Sequence, residues 1–226
     1  MNQKIIVVIA AYNEEALIAS VVAGIKKHIS NVVVVDDASG DRTADLAKEA
    51  GADVLIHMIN RGQGAALKTG IDYAVKRGAD IIVTFDADGQ HKAEEIMRLV
   101  EPIARGEVDV VLGSRFLGNL SNNIPFLRKM VLRGGIWFTR FFSRINITDT
   151  HNGFRALSRK AAQTIRIKQD RMAHASEILD EVAYHKLKFV EVPVTISYTD
   201  YSIQKGQSSL NSIKIVFKFI FGKIMR

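Results

Sequence analysis

Two carboxylates separated by one small residue, Asp86 and Asp88, directly follow the apolar run 81–85. The run predicts a buried strand, and residues two apart in an extended chain point to the same side. Both carboxylates can therefore face one hard cation at the carboxyl end of a strand, the edge where open α/β sheets bind ligands. Such oxygens suit Mg²⁺ or Mn²⁺ held jointly with substrate phosphates. A plain acidic turn after a buried strand is the alternative interpretation.

Polar side chains also follow the first two apolar runs of the chain. Tyr12, Asn13 and Glu14 come after the first run and could stack on or hydrogen-bond a nucleobase. Asn13 would serve equally well as a helix cap. Asp36 and Asp37 end the second run, where an acid often contacts a ribose or a base, although capping is again the alternative.

The segment 60–64, with the sequence NRGQG, is a glycine-rich helix start whose backbone N–H groups could approach a phosphate. It is neither a Walker loop nor a GxGxxG fingerprint, so it is a weak signal by itself. This segment, the two polar segments and the acidic pair all follow predicted strands and should meet at one edge of a sheet. Their convergence predicts a site for a nucleotide and a metal ion.

Alternating strands and helices are expected to position these segments. Short connections between them imply parallel strands with right-handed crossovers, as in a nucleotide-binding α/β domain. Pro193 argues for an edge position of the last strand. The predicted strands are 4–11, 31–35, 53–58, 81–85, 108–113 and 189–197, and the predicted helices are 16–28, 43–50, one that opens within 60–64 and runs to about 76, 91–105, 124–142, 159–184 and 210–226.

The chain of 226 residues carries a formal net charge of +7, and the charge is unevenly placed. Residues 110–148 and the residues after 200 contain eleven lysines and arginines and no acid, whereas the rest is mildly acidic. Both basic segments are also apolar, a mixture that fits an anionic membrane surface better than nucleic acid. With no cysteine, disulfides and thiolate metal sites are excluded. No secretory signal and no transmembrane helix are expected.

A series of motifs, AAYNEE, VVVVDDASGDRT, NRGQGAAL, FDADGQH, GSRF, DTHNGFRA and EVPV, spans about residues 3–200. In order and spacing this series resembles the family 2 glycosyltransferases, which have a GT-A fold. The most similar branch is that of the dolichol- and polyprenyl-phosphate sugar synthases. Two departures are Ala10-Ala11, where the family often has proline, and Lys205, where a C-terminal loop usually carries arginine.

The resemblance implies roles for individual residues. Tyr12, Glu14 and Asp37 would hold the nucleoside, and Arg115 would grip the acceptor phosphate. The implied nucleotide- and donor-binding residues are Ala11, Tyr12, Asn13, Glu14, Asp36, Asp37, Asn60, Gly64, Asp86 and Ala87; the metal ligands are Asp86, Asp88 and Gln90; the acceptor-phosphate residues are Arg115, Arg128, Lys129, Arg133 and Lys205; and the catalytic residues are Asp88, Arg115, Arg128 and Asp149.

The expected activity is inverting transfer of a sugar from a GDP- or UDP-sugar to a polyprenyl or dolichyl phosphate, with Mg²⁺ or Mn²⁺ as cofactor. A saccharide hydroxyl acceptor is the alternative. It would require a carboxylate base, with Asp149 first and Glu177 second, and His151 could orient the site or contact phosphate. A sugar-nucleotide nucleotidyltransferase and a non-catalytic nucleotide-sugar binding module are less favoured.

The expected organisation is a single GT-A domain over 1–205, with a nucleotide-binding half at 1–115 and an acceptor half at 116–205. A basic amphipathic helix at 206–226 would follow. The protein is expected on the cytoplasmic face of the membrane as a peripheral protein. Its partners would be the nucleotide-sugar, the lipid phosphate and the anionic surface, without nucleic acid, and an oligomer is possible.

Overall fold

Seven strands form one mixed sheet in the order β3-β2-β1-β4-β6-β5-β7. The computed structural model describes residues 3–117, 145–150 and 152–197. Valine and isoleucine dominate β1, β2 and β4, and these β-branched residues favour extended backbone. The strands are β1 Ile5–Ala11, β2 Val32–Asp36, β3 Asp53–Ile56, β4 Ile81–Asp86, β5 Val110–Ser114, β6 Arg155–Ser158 and β7 Phe189–Pro193.

Helices cover both faces of this sheet. One apolar cluster joins it to α1, α2 and α4, and a second joins it to α3, α5 and α6. Helix α3 approaches β1 closely at Gly70, where a Cβ atom would lie 2.3 Å from Cγ1 of Val8. The helices are α1 Ile18–Lys26, α2 Thr43–Glu49, α3 Gln63–Lys76, α4 Ile96–Ala104, α5 Arg159–Thr164 and α6 His174–Tyr184, with a 3₁₀ turn at Ala93–Glu95.

Strand directions decide which residues share an edge of the sheet. β1 pairs in parallel with β2 and β4, whereas β6 runs antiparallel to both β4 and β5. The carboxyl ends of β2, β1, β4 and β5 therefore lie at one edge together with the amino end of β6. All the polar segments that follow the predicted strands are thus brought to this edge.

The five amino-terminal strands predicted from apolar runs are confirmed, with ends shifted by one or two residues. The last strand, β7, is an edge strand as Pro193 indicated, but it ends at that proline. The predicted helix 91–105 was wrong at its start, because Lys92 is extended and His91 pairs in a bridge with Ile196. The predicted helix 159–184 was also wrong in part, since it is divided into α5 and α6.

Strand β6 was missed by the sequence analysis. Only four residues long, with the sequence RALS, it begins with an arginine after a polar turn, so no apolar run marks it. Among the described residues no helix is both long and apolar enough to cross a membrane. The predicted helices 124–142 and 210–226 lie outside the described residues, as do Arg128, Lys129, Arg133, His151 and Lys205.

Candidate active site

A cavity of about 420 Å³ opens at the edge of the sheet where these strand ends meet. Its walls come from the residues after β1, β2 and β4, from the amino end of β6, and from the starts of α3 and α6. Eight of the predicted nucleotide and metal residues line it: Ala11, Tyr12, Glu14, Asp37, Asn60, Asp86, Ala87 and Asp88. Six other predicted site residues do not line the cavity: Asn13, Asp36, Gly64, Gln90, Arg115 and Asp149.

Asp86, the last residue of β4, is held by side chains on both of its oxygens. Nε2 of Gln63 donates to Oδ1 at 3.1 Å, and Nε2 of His91 lies 2.9 Å from Oδ2. Burial raises the pKa of Asp86, but the hydrogen bond and charge of His91, followed by the charge of Arg155, outweigh burial and leave the pKa below its usual value. Asp86 is therefore a fixed, ionised carboxylate.

Asp88 lies in the same cavity and behaves differently. Its Oδ1 accepts a hydrogen bond from the backbone N–H of Gln90 at 3.0 Å. Burial and then the charge of Asp86 raise the pKa of Asp88 to about 6. Two acids that repel each other in this way gain from a shared cation, so the residues present fit a divalent ion. Among the described residues no cluster of three acids or histidines forms a complete metal site, so other oxygens would have to complete the coordination.

A glycine makes room for the Asp86 carboxylate. A Cβ atom at Gly153 would lie 2.4–2.7 Å from the carboxylate atoms of Asp86. The backbone carbonyl of Gly153 accepts a hydrogen bond from Oγ1 of Thr84 at 2.6 Å, which fixes this close approach. The glycine of the DTHNGFRA motif is therefore required by packing against the predicted metal ligand.

Asp37 joins the cavity to the loop that precedes α3. Its Oδ1 accepts from the backbone N–H of Arg61 at 3.0 Å and lies 2.7 Å from Nδ1 of His57, while Oδ2 accepts from the N–H of Gly62 at 2.6 Å. Burial raises the pKa of Asp37, but these hydrogen bonds together lower the pKa by more than burial raises it. The pKa of Asp37 is therefore below its ordinary value. Nε2 of His57 lies 2.9 Å from Oγ1 of Thr69, which fixes the ring.

Asp36 and Asn13 lie behind the wall of the cavity. The carboxylate of Asp36 accepts hydrogen bonds from the hydroxyl and the backbone N–H of Ser39. The side-chain oxygen of Asn13 accepts from the N–H of Gly40 at 2.9 Å. Since α1 begins only at Ile18, Asn13 is not its cap. The Asn13 side chain holds the loop after β2 against the loop after β1, and Asp36 fixes the loop after β2 through Ser39. Their predicted nucleotide contacts stay predictions.

The glycine-rich start of α3 packs against the backbone of residues 169 and 170. A Cβ atom at Gly64 would lie 2.1 Å from the carbonyl oxygen of Gln169, and the N–H of Ala65 donates to the carbonyl of Asp170 at 3.1 Å. Asp37 occupies the N–H groups of Arg61 and Gly62. The N–H groups of Arg61, Gly62 and Ala65 thus have partners within the protein, and phosphate binding at the segment 60–64 stays a prediction.

Arg115 and Asp149 form an ion pair outside the cavity wall. Nε of Arg115 donates to Oδ2 of Asp149 at 2.7 Å. Glu191 on β7 supports the pair by accepting from the backbone N–H groups of Thr148 and Asp149. Burial raises the pKa of Glu191, only partly offset by these hydrogen bonds. The acceptor-phosphate role of Arg115 and the base role of Asp149 stay predictions.

The second candidate base, Glu177, lies on α6 and does not line the cavity. Its Oε2 accepts from the backbone N–H groups of Lys168 and Gln169, both at 2.9 Å. Glu177 thus fixes the segment whose carbonyl groups pack on Gly64. Gln90, the third predicted metal ligand, has its backbone engaged with Asp88 and with Ser197.

Several cavity residues were not predicted from the sequence. Arg155 belongs to a motif that was noted, but no role was given to it. Gln63 was noted only as part of the glycine-rich segment, although its amide holds Asp86. His174 and Met172 stand at the start of α6 and immediately before it, 86 and 84 residues beyond Asp88 in the chain, so no local pattern could have connected them to the site.

Taken together, a mostly parallel sheet with an acidic pair at its ligand-binding edge defines an α/β protein with a nucleotide-type site. The family model for glycosyl transferase family 2 matches residues 6–166. The chain therefore belongs to glycosyltransferase family 2 and is a glycosyltransferase.

Two relatives match this chain over nearly its whole length. It is 39% identical to an uncharacterized protein of Methanocaldococcus jannaschii, over 99% of this chain and 93% of the relative. It is 32% identical to the UDP-N-acetylglucosamine–dolichyl-phosphate N-acetylglucosaminyltransferase of Methanococcus voltae, over 99% of this chain and 97% of the relative.

A solved structure is similar in fold. Glucosyl-3-phosphoglycerate synthase of Mycobacterium tuberculosis, crystallised with Mn²⁺, UDP and its product, has a TM-score of 0.69 at 20% identity. The alignment covers 94% of this chain and 75% of that one. This likeness confirms the predicted GT-A fold.

Proposed function

We propose that this glycosyltransferase transfers a sugar from a GDP- or UDP-sugar to a polyprenyl or dolichyl phosphate, with inversion at the anomeric carbon. The observation that carries the proposal is the pair Asp86 and Asp88, which shares one cavity with Tyr12 and Asp37. The name of the Methanococcus voltae relative, which pairs a UDP-sugar with a dolichyl phosphate, supports both substrate classes.

Asp86 and Asp88 would hold Mg²⁺ or Mn²⁺ together with oxygens of the donor diphosphate. The bound cation would neutralise the negative charge that develops on the departing nucleoside diphosphate. The presence of Mn²⁺ and UDP in the mycobacterial structure supports this use of a divalent ion. Asp37 fixes the loop 60–62, and Asn60 donates from Nδ2 to the Asp37 carbonyl at 3.3 Å, so the nucleoside would meet a rigid wall.

The acceptor side of the reaction needs positive charge more than a base. A phosphate monoester has a second pKa near ~6 and is largely deprotonated at neutral pH, so its oxygen is already nucleophilic. Arginines that orient it would therefore suffice. Arg115 is held in place by Asp149 and lies beside this edge of the sheet. Arg128, with Lys129 or Arg133, and Lys205 are the other proposed contacts.

The reaction would take place at the cytoplasmic face of a membrane. The two basic and apolar segments, 110–148 and 201–226, support this location, because each lysine or arginine near an anionic leaflet contributes up to about 1 kcal/mol. The enzyme would thereby meet a lipid acceptor without itself crossing the bilayer.

Phase partition of a labelled sugar tests the proposal. The full chain is incubated with Mn²⁺, a labelled UDP- or GDP-sugar and a polyprenyl phosphate, and the product is extracted into organic solvent. We expect label in the organic phase, its loss in Asp88→Ala, and its retention in Asp45→Ala, an exposed acid on α2. Label only in water-soluble product would refute the lipid acceptor and favour a saccharide hydroxyl.

A further inference from the structure

Arg155 is a buried cation in the wall of the active-site cavity. It is 3% exposed, and among the described residues its side chain makes one hydrogen bond, from Nη2 to the carbonyl oxygen of Ala175 at 3.4 Å. A guanidinium has five N–H donors, and this side chain lines the cavity. The side chain therefore has donors to offer to a ligand in the cavity.

The charges around Arg155 come from two acids. Burial lowers the pKa of Arg155 to about 10, and the charges of Asp86 and then Asp149 oppose that change. Arg155 remains protonated at neutral pH. Because Asp149 also pairs with Arg115, charges of alternating sign run from Asp86 through Arg155 and Asp149 to Arg115. Arg155 thus lies between the predicted donor and acceptor halves of the site.

The strand order shows which part of a donor could reach this guanidinium. Along the edge, Asp37 follows β2, Tyr12 follows β1, Asp86 ends β4 and Arg155 begins β6. Neighbouring strands are about 4.8 Å apart, so β6 lies about 14 Å from β2 and one strand beyond the acidic pair. A nucleoside held near Asp37, with its diphosphate at Asp86, would direct the sugar-bearing phosphate toward β6.

A cation on Asp86 strengthens this expectation. The metal ion and the Arg155 guanidinium would both interact with the same carboxylate and would repel each other. An anion between them removes that repulsion, and a phosphate oxygen can bind the metal while another accepts N–H bonds from arginine. The charges of the site therefore favour an anion that would lie between the metal ion and the Arg155 guanidinium.

We propose, on the basis of the nucleotide-sugar chemistry proposed above, that Arg155 donates hydrogen bonds to the sugar-bearing phosphate of the donor diphosphate. It binds the phosphate that leaves with the nucleotide when the bond to the sugar breaks. Arg155 therefore complements the metal ion from the β6 side and takes up part of the charge that develops on this leaving group.

Binding of a series of nucleotides with one phosphate, two phosphates, and two phosphates plus a sugar tests the assignment without any turnover. Calorimetric titration of the full chain with Mg²⁺ compares UMP, UDP and UDP-N-acetylglucosamine, and in parallel GMP, GDP and GDP-mannose. In the wild-type protein the diphosphate should bind more tightly than the monophosphate. Arg155→Met should weaken diphosphate binding by about ten- to hundredfold, the range for lost charged hydrogen bonds, and leave monophosphate binding within about twofold.

Two further variants separate ligand binding from folding. Arg155→Lys keeps the charge but loses the fork of donors, so it should recover part of the diphosphate affinity. Arg159→Met is the matched control, because that guanidinium binds the carbonyls of Gly78 and Ala79 away from the cavity. Arg159→Met should leave the affinities for all the nucleotides of the series unchanged. Thermal unfolding of each variant checks that the titrated protein is folded.

Three results would overturn the assignment. Equal losses for monophosphate and diphosphate in Arg155→Met, with no recovery in Arg155→Lys, would show a purely structural role. A loss confined to the nucleotide-sugars would place the contact on the sugar. If the wild-type protein bound neither series, the proposed function would fail and the assignment with it, a result distinct from the other two.

Discussion

Nε of Arg115 donates to Oδ2 of Asp149 at 2.7 Å, and the backbone N–H of Arg115 donates to the same oxygen at 3.1 Å. The two side chains are 11% and 1% exposed. This pair connects the end of β5 to a segment 34 residues further along the chain. The partners are the residues predicted from the sequence to bind the acceptor phosphate and to act as a base, so we expect stability and activity both to depend on the pair.

Removing the carboxylate of this pair should destabilise the protein. Asp149→Ala removes the carboxylate that pairs with the Arg115 guanidinium in a nearly buried position, and we expect the free energy of unfolding to fall by about 3 kcal/mol. Asp149→Asn keeps an acceptor oxygen and should cost less. Urea unfolding followed by circular dichroism measures both values.

An exposed ion pair provides the control for that experiment. Lys160 pairs with Asp109 at 3.1 Å and is 71% exposed, so Lys160→Ala should change the free energy of unfolding by less than about 1 kcal/mol. If Asp149→Ala cost no more than this control, the buried pair would contribute nothing beyond a surface contact.

Gly64→Ala should destabilise the start of α3. The new methyl group would overlap the carbonyl oxygen of Gln169, which is backbone and cannot move by a simple rotamer change. We expect a loss of about 1–3 kcal/mol in the free energy of unfolding. Gly40→Ala is the matched control, because nothing lies within 4 Å of its Cβ position. Equal thermal stability of the two variants would contradict the close packing of Gln169 on α3.

Gly153→Ala should impair the metal site without altering a predicted ligand. Its methyl group would force the Asp86 carboxylate away from its position beside Gln63 and His91. We expect at least about a tenfold loss in Mn²⁺-dependent nucleotide affinity, comparable to losing a supporting contact of a metal ligand. Calorimetry with UDP and GDP, with and without Mn²⁺, measures it.

The control for Gly153→Ala is Gly24→Ala on α1. The nearest atom to its added methyl group is Cβ of Ala93 at 4.0 Å, an ordinary contact, and alanine favours the helix by about 0.5–1 kcal/mol. This variant should bind nucleotide like the wild-type protein. Unchanged Mn²⁺-dependent affinity in Gly153→Ala would mean that Asp86 is not a metal ligand.

The elements that could be predicted from the sequence are those that a local pattern of residues determines. The strand that ends in Asp86 is a run of buried β-branched and aromatic residues, and the acids follow at its end, so strand and site could be found together. The same holds for β1 and β2. Their parallel direction followed from the connection rules for alternating strands and helices, which are physical constraints on chain crossovers, whereas their order in the sheet was not predicted.

What the sequence could not predict depends on contacts between distant residues. β6 has no apolar run, and it is a strand because β4 and β5 hydrogen-bond it on both sides. The packing of the Gln169 carbonyl on Gly64 could not be predicted either, because these two residues lie about a hundred positions apart in the chain. Arg155 carries no pattern of its own, and only the fold places it beside Asp86.

Burial of Asp88, followed by its repulsion from Asp86, should make stability depend on pH in a direction opposite to that of most acids. The folded protein raises the pKa of Asp88 from 3.8 to about 6, so the ionised carboxylate destabilises the folded state. This cost is fully present above pH of about 6 and disappears as the pH falls through 6 toward 3.8. Without divalent ions, Asp88→Asn should therefore be more stable than wild type near pH ~8, on the order of 1–2 kcal/mol.

Adding metal and nucleotide should make the wild-type protein more stable than Asp88→Asn, the reverse of their order without divalent ions. The ion would bind the two carboxylates of the wild-type protein and raise its unfolding temperature with UDP or GDP, whereas Asp88→Asn would lose most of this gain. Asp45→Asn, which changes an exposed acid, should follow the wild-type protein in both series. A difference between Asp88→Asn and wild type that stayed constant from pH ~4 to pH ~8 would show that the folded protein does not raise the pKa of Asp88, and the electrostatic case for a shared cation would fall.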